Sequence, residues 1–214
     1  LTFQNSSLNG SKIKTILYPR INYTQNDVNY FSTHFQDEGW NRDWFGKYSR
    51  FILQSADFAA TQSIPYIMIG DLESVSANVP LDEWLTLLKS VKSRYNGRII
   101  GVAGIFGDEA LIPAWLENMD LVYVVYSPDM VMESDSSIEN LVAQLDQSIN
   151  ADILPISEKF TKPIILGLAV PSSTNAINGI SARNYLDGGQ GFSSLDGEPD
   201  TILQAKIYNA AIIA

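Results

Sequence analysis

The chain has 214 residues, 45% of them hydrophobic, and a formal net charge of −10. That length and apolar content suit a single domain, 1–214, with a full core rather than a disordered chain, and so acidic a surface repels phosphate backbones, which argues against a nucleic-acid partner. There is no cysteine and one histidine, His34, so disulfides, thiolate chemistry and multi-histidine metal centres are excluded, and Asp and Glu remain for acid–base work.

In chain order, Ile13 to Leu17 followed by Tyr18-Pro19 predicts a short strand. A loop rich in Asn, Tyr and Asp runs from Asn22 to about Gly39. From Trp40 to Thr61 the apolar residues Trp44, Tyr48, Phe51, Ile52, Ala56 and Ala59 fall near one helical face. Ile64 to Gly70 is an apolar run of strand length without polar alternation, as in parallel strands buried on both faces. A helix over Leu81 to Tyr95 is expected to bury Leu81, Trp84, Leu85, Leu88 and Val91, with Asn96-Gly97 as its C-cap signal.

Arg98 to Phe106 reads as the next strand, Pro113 to Asn118 as a short helix and Leu121 to Tyr126 as a further strand. Ser136 to Glu139 has the spacing of a capping box, opening a helix with Ile138, Leu141, Val142, Leu145 and Ile149 on one face. Lys162-Pro163 leads into a strand over Ile164 to Val170. A Ser/Asn/Gly-rich loop, 171–199, precedes a last helix from Thr201 with Ile202, Ala205, Tyr208 and Ile212 as its apolar stripe. The alternation of uninterrupted apolar strands with helices predicts a parallel α/β sheet, either a closed barrel or a doubly wound open sheet. No G-x-G-x-x-G and no P-loop follows any strand, which lowers a nucleotide-binding reading. The long loops follow strand C-termini, where barrel enzymes build their sites.

Several segments carry a family resemblance. Lys14-Thr-Ile-Leu-Tyr-Pro-Arg-Ile-Asn resembles the third strand of clan-A glycoside hydrolases near the β-mannanase-like family 113. Trp40…Trp44-Phe45…Tyr48…Phe51-Ile52…Ala56-Asp57…Ala59 is similar to the following helix, Ile67-Met68-Ile69-Gly70 to the fourth strand, and Trp84…Val91…Arg94-Tyr95…Gly97 to the next helix. Asp120-Leu-Val-Tyr-Val-Val-Tyr-Ser-Pro is similar to the sixth strand, Lys162-Pro163-Ile164-Ile165 to the seventh, and Gln204-Ala205…Tyr208…Ala210-Ala211 to the helix after it. The resemblance implies a (β/α)8 TIM-type barrel of which the chain covers roughly strands 3 to 7. Strands one, two and eight then lie outside the chain or are absent. The remainder of the barrel is expected from further sequence, because a barrel lacking three strands exposes its apolar interior.

The resemblance also implies two carboxylates at the mouth. A retaining glycosidase needs a general acid and a nucleophile about 5 Å apart. The family places its acid/base Glu after the fourth strand, where this chain reads Gly70-Asp71-Leu72-Glu73. The Glu is displaced by one residue, which reverses a strand side chain's direction. The family nucleophile follows the seventh strand, where the residues here are Gly167-Leu168, and leucine cannot attack an anomeric carbon. Three accounts stay open: a barrel that only binds sugar, an altered enzyme recruiting acids such as Asp108, Glu109 or Asp129, or a carboxylate from the missing strands.

The candidate catalytic residues are therefore Asp71, Glu73, Asp108 and Glu109. Tyr18, Arg20, Asn22 and Tyr126 sit just past strand ends as candidate substrate contacts, with Trp40 as a sugar-stacking platform. Trp44 and Trp84 have core spacing. Asp129 and Glu133 read as solvated charges and His34 as a surface residue. Pro171-Ser172-Ser173 and Gly188-Gly189-Gln190-Gly191 read as surface loop or as a lid. No cofactor is expected, and no D-x-D-x-D-G loop for calcium is present. No stretch is long and apolar enough to span a membrane.

The chain starts at Leu1 rather than Met and ends inside an apparent helix, so both ends read as cut. Asn5, Asn9 and Asn22 lie in Asn-x-Ser/Thr sequons, either by chance in a Ser/Asn-rich segment or as glycan sites of an extracellular or cell-surface protein. The function these features predict is a glycoside-hydrolase-like barrel that acts on or binds a polysaccharide or oligosaccharide. The alternative is a catalytically inactive carbohydrate-binding or structural module of a larger protein.

Overall fold

The structure is a computed structural model, and it describes residues 14–21, 37–70, 79–106, 109–128, 130, 136–170 and 200–214. The elements are β1 (Ile16–Leu17), α1 (Glu38–Thr61), β2 (Tyr66–Ile69), α2 (Leu81–Lys92), β3 (Arg98–Phe106), β4 (Glu109–Leu111), a 3₁₀ turn (Ala114–Asn118), β5 (Leu121–Ser127), α3 (Ile138–Asp152), α4 (Leu154–Phe160), β6 (Ile164–Leu168) and α5 (Thr201–Ile213). Strands β1, β2, β3, β5 and β6 are parallel and lie side by side in sequence order, while β4 folds back antiparallel onto β3. A doubly wound sheet reverses direction at a switch point. This sheet never does, so of the two predicted architectures the barrel type stands, an α/β fold of (β/α)8 kind covering part of the barrel.

Strand alternation divides the sheet into two faces. On the convex face, Ile67 and Ile69, Ile99, Ala103 and Ile105, and Val122, Val124 and Tyr126 pack with side chains from α1, α2, the 3₁₀ turn and α4 in one core. The concave face carries Met68, Ile100, Val102 and Leu121, with Tyr18, Tyr66, Tyr123 and Ile165 against them. A third cluster joins Leu141 and Leu145 of α3 to Ile207 and Ala210 of α5, and Leu168 packs against both this and the convex core.

Aromatic packing fixes the convex layer. Trp84 stacks on Trp115 with ring centroids 4.2 Å apart, and Phe45 meets Trp84 edge-on at 4.9 Å. The 3₁₀ turn sits tight on β3 because Gly101 has no side chain: a Cβ there would run into Leu116 and Met119. At the N-terminal end of the strands, the Ile99 amide donates to Asp120 Oδ2 at 2.8 Å and the Tyr95 hydroxyl to the Ile64 carbonyl at 2.8 Å.

Several expectations shift. The first helix begins two residues early because Asp37 caps it, accepting the Trp40 amide at 3.0 Å. Helix α2 buries Trp84, Leu87, Leu88 and Val91, whereas Leu81 and Leu85 are exposed, and it ends at Lys92 with Ser93 as C-cap rather than at Asn96-Gly97. Ser137, not Ser136, caps α3 by accepting the Asn140 amide. With Asn rather than Glu at the third helical position, no capping box forms. Helix α5 buries Ile207 and Ala210, while Ile202 is 72% and Ile212 84% exposed. Strand β4 and helix α4 were not anticipated. The loop 171–199 lies outside the described residues. Among the described residues no helix is long and apolar enough to cross a membrane.

Candidate active site

The parallel order brings the C-terminal ends of all five parallel strands to one edge, the mouth of the barrel. On this edge Gly70 directly follows β2. Its φ of 101° is a conformation that L side chains rarely adopt. A Cβ there would also lie 2.7 Å from Trp115 Cη2. Its amide donates to Tyr48 Oη at 2.9 Å, and its carbonyl accepts the Tyr18 hydroxyl at 3.3 Å. Gly70 is thus pinned from α1 and from the end of β1.

Tyr18 belongs to the concave face. The Arg20 guanidinium carbon lies 5.5 Å from the centre of its ring, a cation–π pair that holds an exposed positive group at the rim. The structure therefore brings Tyr18 and Arg20 together beside the Gly70 turn. Trp40 is half-buried in the first turn of α1. Helix α1 runs antiparallel to β2, with Tyr48 level with Gly70. Trp40 lies eight residues nearer the helix start, which at 1.5 Å per residue stands it roughly 12 Å beyond that level within the helix layer. Between the first turns of α1 and α2 is a cavity of about 230 Å³ lined by Glu38, Asn41, Arg42, Val79, Pro80 and Glu83.

Tyr126 is placed differently from the expectation. It faces the convex side, is 0% exposed and donates its hydroxyl to Asp152 Oδ2 at 2.8 Å. Its neighbour Ser127 takes the concave position, because Leu121 and Tyr123 of the same strand lie on that face. Ser127 is 1% exposed, and its Oγ has no hydrogen-bond partner. The sequence signal for it was the alternation of Leu121, Tyr123, Val125 and Ser127, hidden inside a run that is apolar at nearly every position.

The backbone of Glu109 pairs with Phe106 across the β3–β4 hairpin. A Gly-Asp pair between two short apolar runs is a hairpin signal. Asp71, Glu73, Asp108, Asp129, Glu133, Asn22, His34 and the sequons at Asn5 and Asn9 lie outside the described residues.

At the family's nucleophile position the structure adds a reason to the sequence mismatch. Strand β6 pairs Val124 with Leu166, Val125 with Gly167 and Tyr126 with Leu168. Leu168 therefore shares the convex face of Tyr126 and packs under the helices. Gly167 takes the concave face, where the Tyr123 phenol fills the space a Cβ would need. Between Glu158 and Asp187 the sequence has no carboxylate at all. Beyond β6, the Val170 carbonyl accepts Gln204 Nε2 at 2.6 Å, which ties the strand end to α5.

The comparisons with known proteins agree with this architecture. A search of curated proteins gives no match. Among solved structures, a complex of a GH113 beta-1,4-mannanase aligns over 95% of this chain and 59% of its own, with a TM-score of 0.60 and 19% identity. The GH113 beta-mannanase AaManA from Alicyclobacillus acidocaldarius, in complex with ManMIm, aligns over 81% of this chain and 47% of its own, with a TM-score of 0.56 and 17% identity. A further GH113 beta-1,4-mannanase covers 79% and 47%, with a TM-score of 0.54 and 18% identity. The chain thus spans roughly half the length of these structures, which share its fold. The profile of Glycoside Hydrolase Family 113 matches residues 6–179, and the chain belongs to that family.

Proposed function

We propose that the chain is the larger part of a glycoside-hydrolase-type barrel that holds a poly- or oligosaccharide across its C-terminal strand ends. The observation that carries this reading is the gathering of Tyr18, Arg20 and the glycine turn before Asp71 at one edge of a singly wound sheet, in a chain of family 113. In this reading Tyr18 and Arg20 hydrogen-bond the sugar, with Asn22 beside them in sequence, and Trp40 offers a stacking face. The acids come from the segments after β2 and β3: Asp71, Glu73, Asp108 and Glu109. One stays protonated by desolvation and donates to the leaving oxygen, while another is ionised. The substrate class we infer is a β-linked mannan, the polymer named for the matched structures. Turnover by the full-length protein on a panel of β-linked polysaccharides tests this, with the Asp71→Ala/Glu73→Ala double variant expected inactive. Absence of turnover on every polymer rejects the enzyme reading.

A second reading, a barrel that binds without cleaving, is favoured by β6. Its concave face offers Gly167 and its leucine points the other way, so the family's usual carboxylate pair is not supplied from that strand. Oligosaccharide binding without turnover is its signature. In either reading further sequence completes the barrel, consistent with the exposed apolar Ile16 on β1, Leu166 on β6 and Ile202 on α5. An extracellular or cell-surface location, with glycans on Asn5, Asn9 and Asn22, belongs to the same proposal. A mass shift on endoglycosidase treatment, abolished by Asn→Gln changes at the three sequons, tests it.

A further inference from the structure

Among the described residues, the buried side-chain atoms without a hydrogen-bond partner include Trp115 Nε1 and Ser127 Oγ. They differ in place. Trp115 lies under the helix layer, stacked on Trp84 and pressed against Gly70 and Gly101. Ser127 stands on the concave face at the last position of β5, on the edge where barrel enzymes meet their ligands. Its register partner on β3 is Phe106, also at the strand end and also on the concave face, two steps of alternation beyond Val102. On the other side, Ala169 follows β6 and donates its amide to the Tyr126 carbonyl at 2.8 Å. A buried hydroxyl without a partner carries an unrecovered desolvation cost. Such a group calls for an explanation, and a ligand or water that satisfies it from outside the protein is one.

We propose that Ser127 Oγ is a binding contact for a sugar hydroxyl in the barrel mouth. This rests on the carbohydrate reading above and deepens it by assigning a contact on β5. Ser127 exchanges a hydrogen bond with a ligand hydroxyl, which acts as donor or acceptor, and no proton is transferred. A lone uncharged hydroxyl on a largely apolar face suits the hydroxyl of a neutral pyranose. The same hydroxyl contributes no hydrogen bond to the free protein.

The experiment uses the full-length protein and β-1,4-linked mannohexaose as the probe, with titration calorimetry for binding and thermal unfolding without ligand for stability. Ser127→Ala is expected to weaken binding about 5- to 10-fold, the usual yield of one neutral hydrogen bond. Its melting temperature is expected to stay level or rise. Ser127→Thr, which keeps the hydroxyl, is expected to retain most of the affinity. Wild-type affinity in Ser127→Ala overturns the proposal while leaving the carbohydrate reading intact. A loss of affinity matched by a fall in melting temperature assigns Ser127 a structural role and overturns it as well. No binding by the wild-type protein to any β-linked oligosaccharide removes both the carbohydrate reading and the contact.

Discussion

The two faces of the sheet are built from the same strands and behave as different materials. The convex face is a continuous apolar layer, locked by Trp84, Trp115 and Phe45, and its one strand hydroxyl, on Tyr126, is bonded to Asp152. The concave face holds fewer aliphatic residues, four of them fully in its core, and mixes them with Tyr18, Tyr66, Tyr123 and the orphan Ser127. Helices covering one side dictate apolar residues there. The other side is freed from that demand toward the strand ends and carries Tyr18, Tyr123 and Ser127 among its apolar residues. In the proposed reading, stability and recognition are thus separated by the two-residue alternation of a strand rather than by distance along the chain.

The largest expected effect strikes the convex layer. Trp84→Ala removes a fully buried ring that contacts Phe45, Tyr48 and Trp115, and it should cost about 3–5 kcal/mol in chemical denaturation. Leu168→Glu is the sharper test of the division. Placing a glutamate at the family's nucleophile position should destabilise the protein by about 2–4 kcal/mol, because the carboxylate enters the helix side. It should confer no glycosidase activity, and a gain of turnover would show that β6 faces the other way.

Gly70→Ala joins the two faces, since Gly70 is held by Tyr48 from one and Tyr18 from the other. The strained φ and the clash with Trp115 predict a loss of about 1–3 kcal/mol, together with weakened ligand binding. Tyr126→Phe should cost about 1 kcal/mol by deleting the bond to Asp152 and leave ligand affinity unchanged, the mirror image of the Ser127 variant.

The smallest effect is confined to alkaline pH. Burial, with Asp120 and Tyr66 adding to it, pushes the Tyr95 phenol from its ordinary 10.0 up to about 12. The folded state keeps this proton while the unfolded chain releases it near 10. Stability is therefore complete below that pH and falls as pH rises from about 10 to 12. Tyr95→Phe should flatten this part of the stability–pH curve, as followed by denaturant unfolding at stepped pH.

Much of the architecture was legible along the chain. The bounds of Arg98–Phe106 coincide with prediction, and the other parallel strands lie inside their predicted runs, trimmed at turns, except that β5 extends one residue to Ser127. What failed has identifiable causes. Helix α5 is apolar nearly all round, so its sequence contains no preferred face, and packing against α3 chose Ile207 and Ala210 over Ile202 and Ile212. Strand β4 was hidden because Gly107-Asp108 reads equally as a site loop and as a two-residue hairpin turn. Tyr18 and Arg20 lie just past β1, as their place after a strand predicted, whereas Tyr126 turns to the convex face and Ser127 to the concave one.

The sequence by itself determined the parallel α/β class, the order of the strands and the family, since uninterrupted apolar runs, helical spacing and motif order are local properties of the chain. It also determined that no carboxylate lies between Glu158 and Asp187, the stretch that holds the seventh-strand segment. Only the tertiary structure decided which alternate residues of each strand look into the barrel. In a strand apolar at nearly every position the alternation carries no polar mark. The helices that cover one face, and thereby define the other as the barrel interior, come from other segments of the chain.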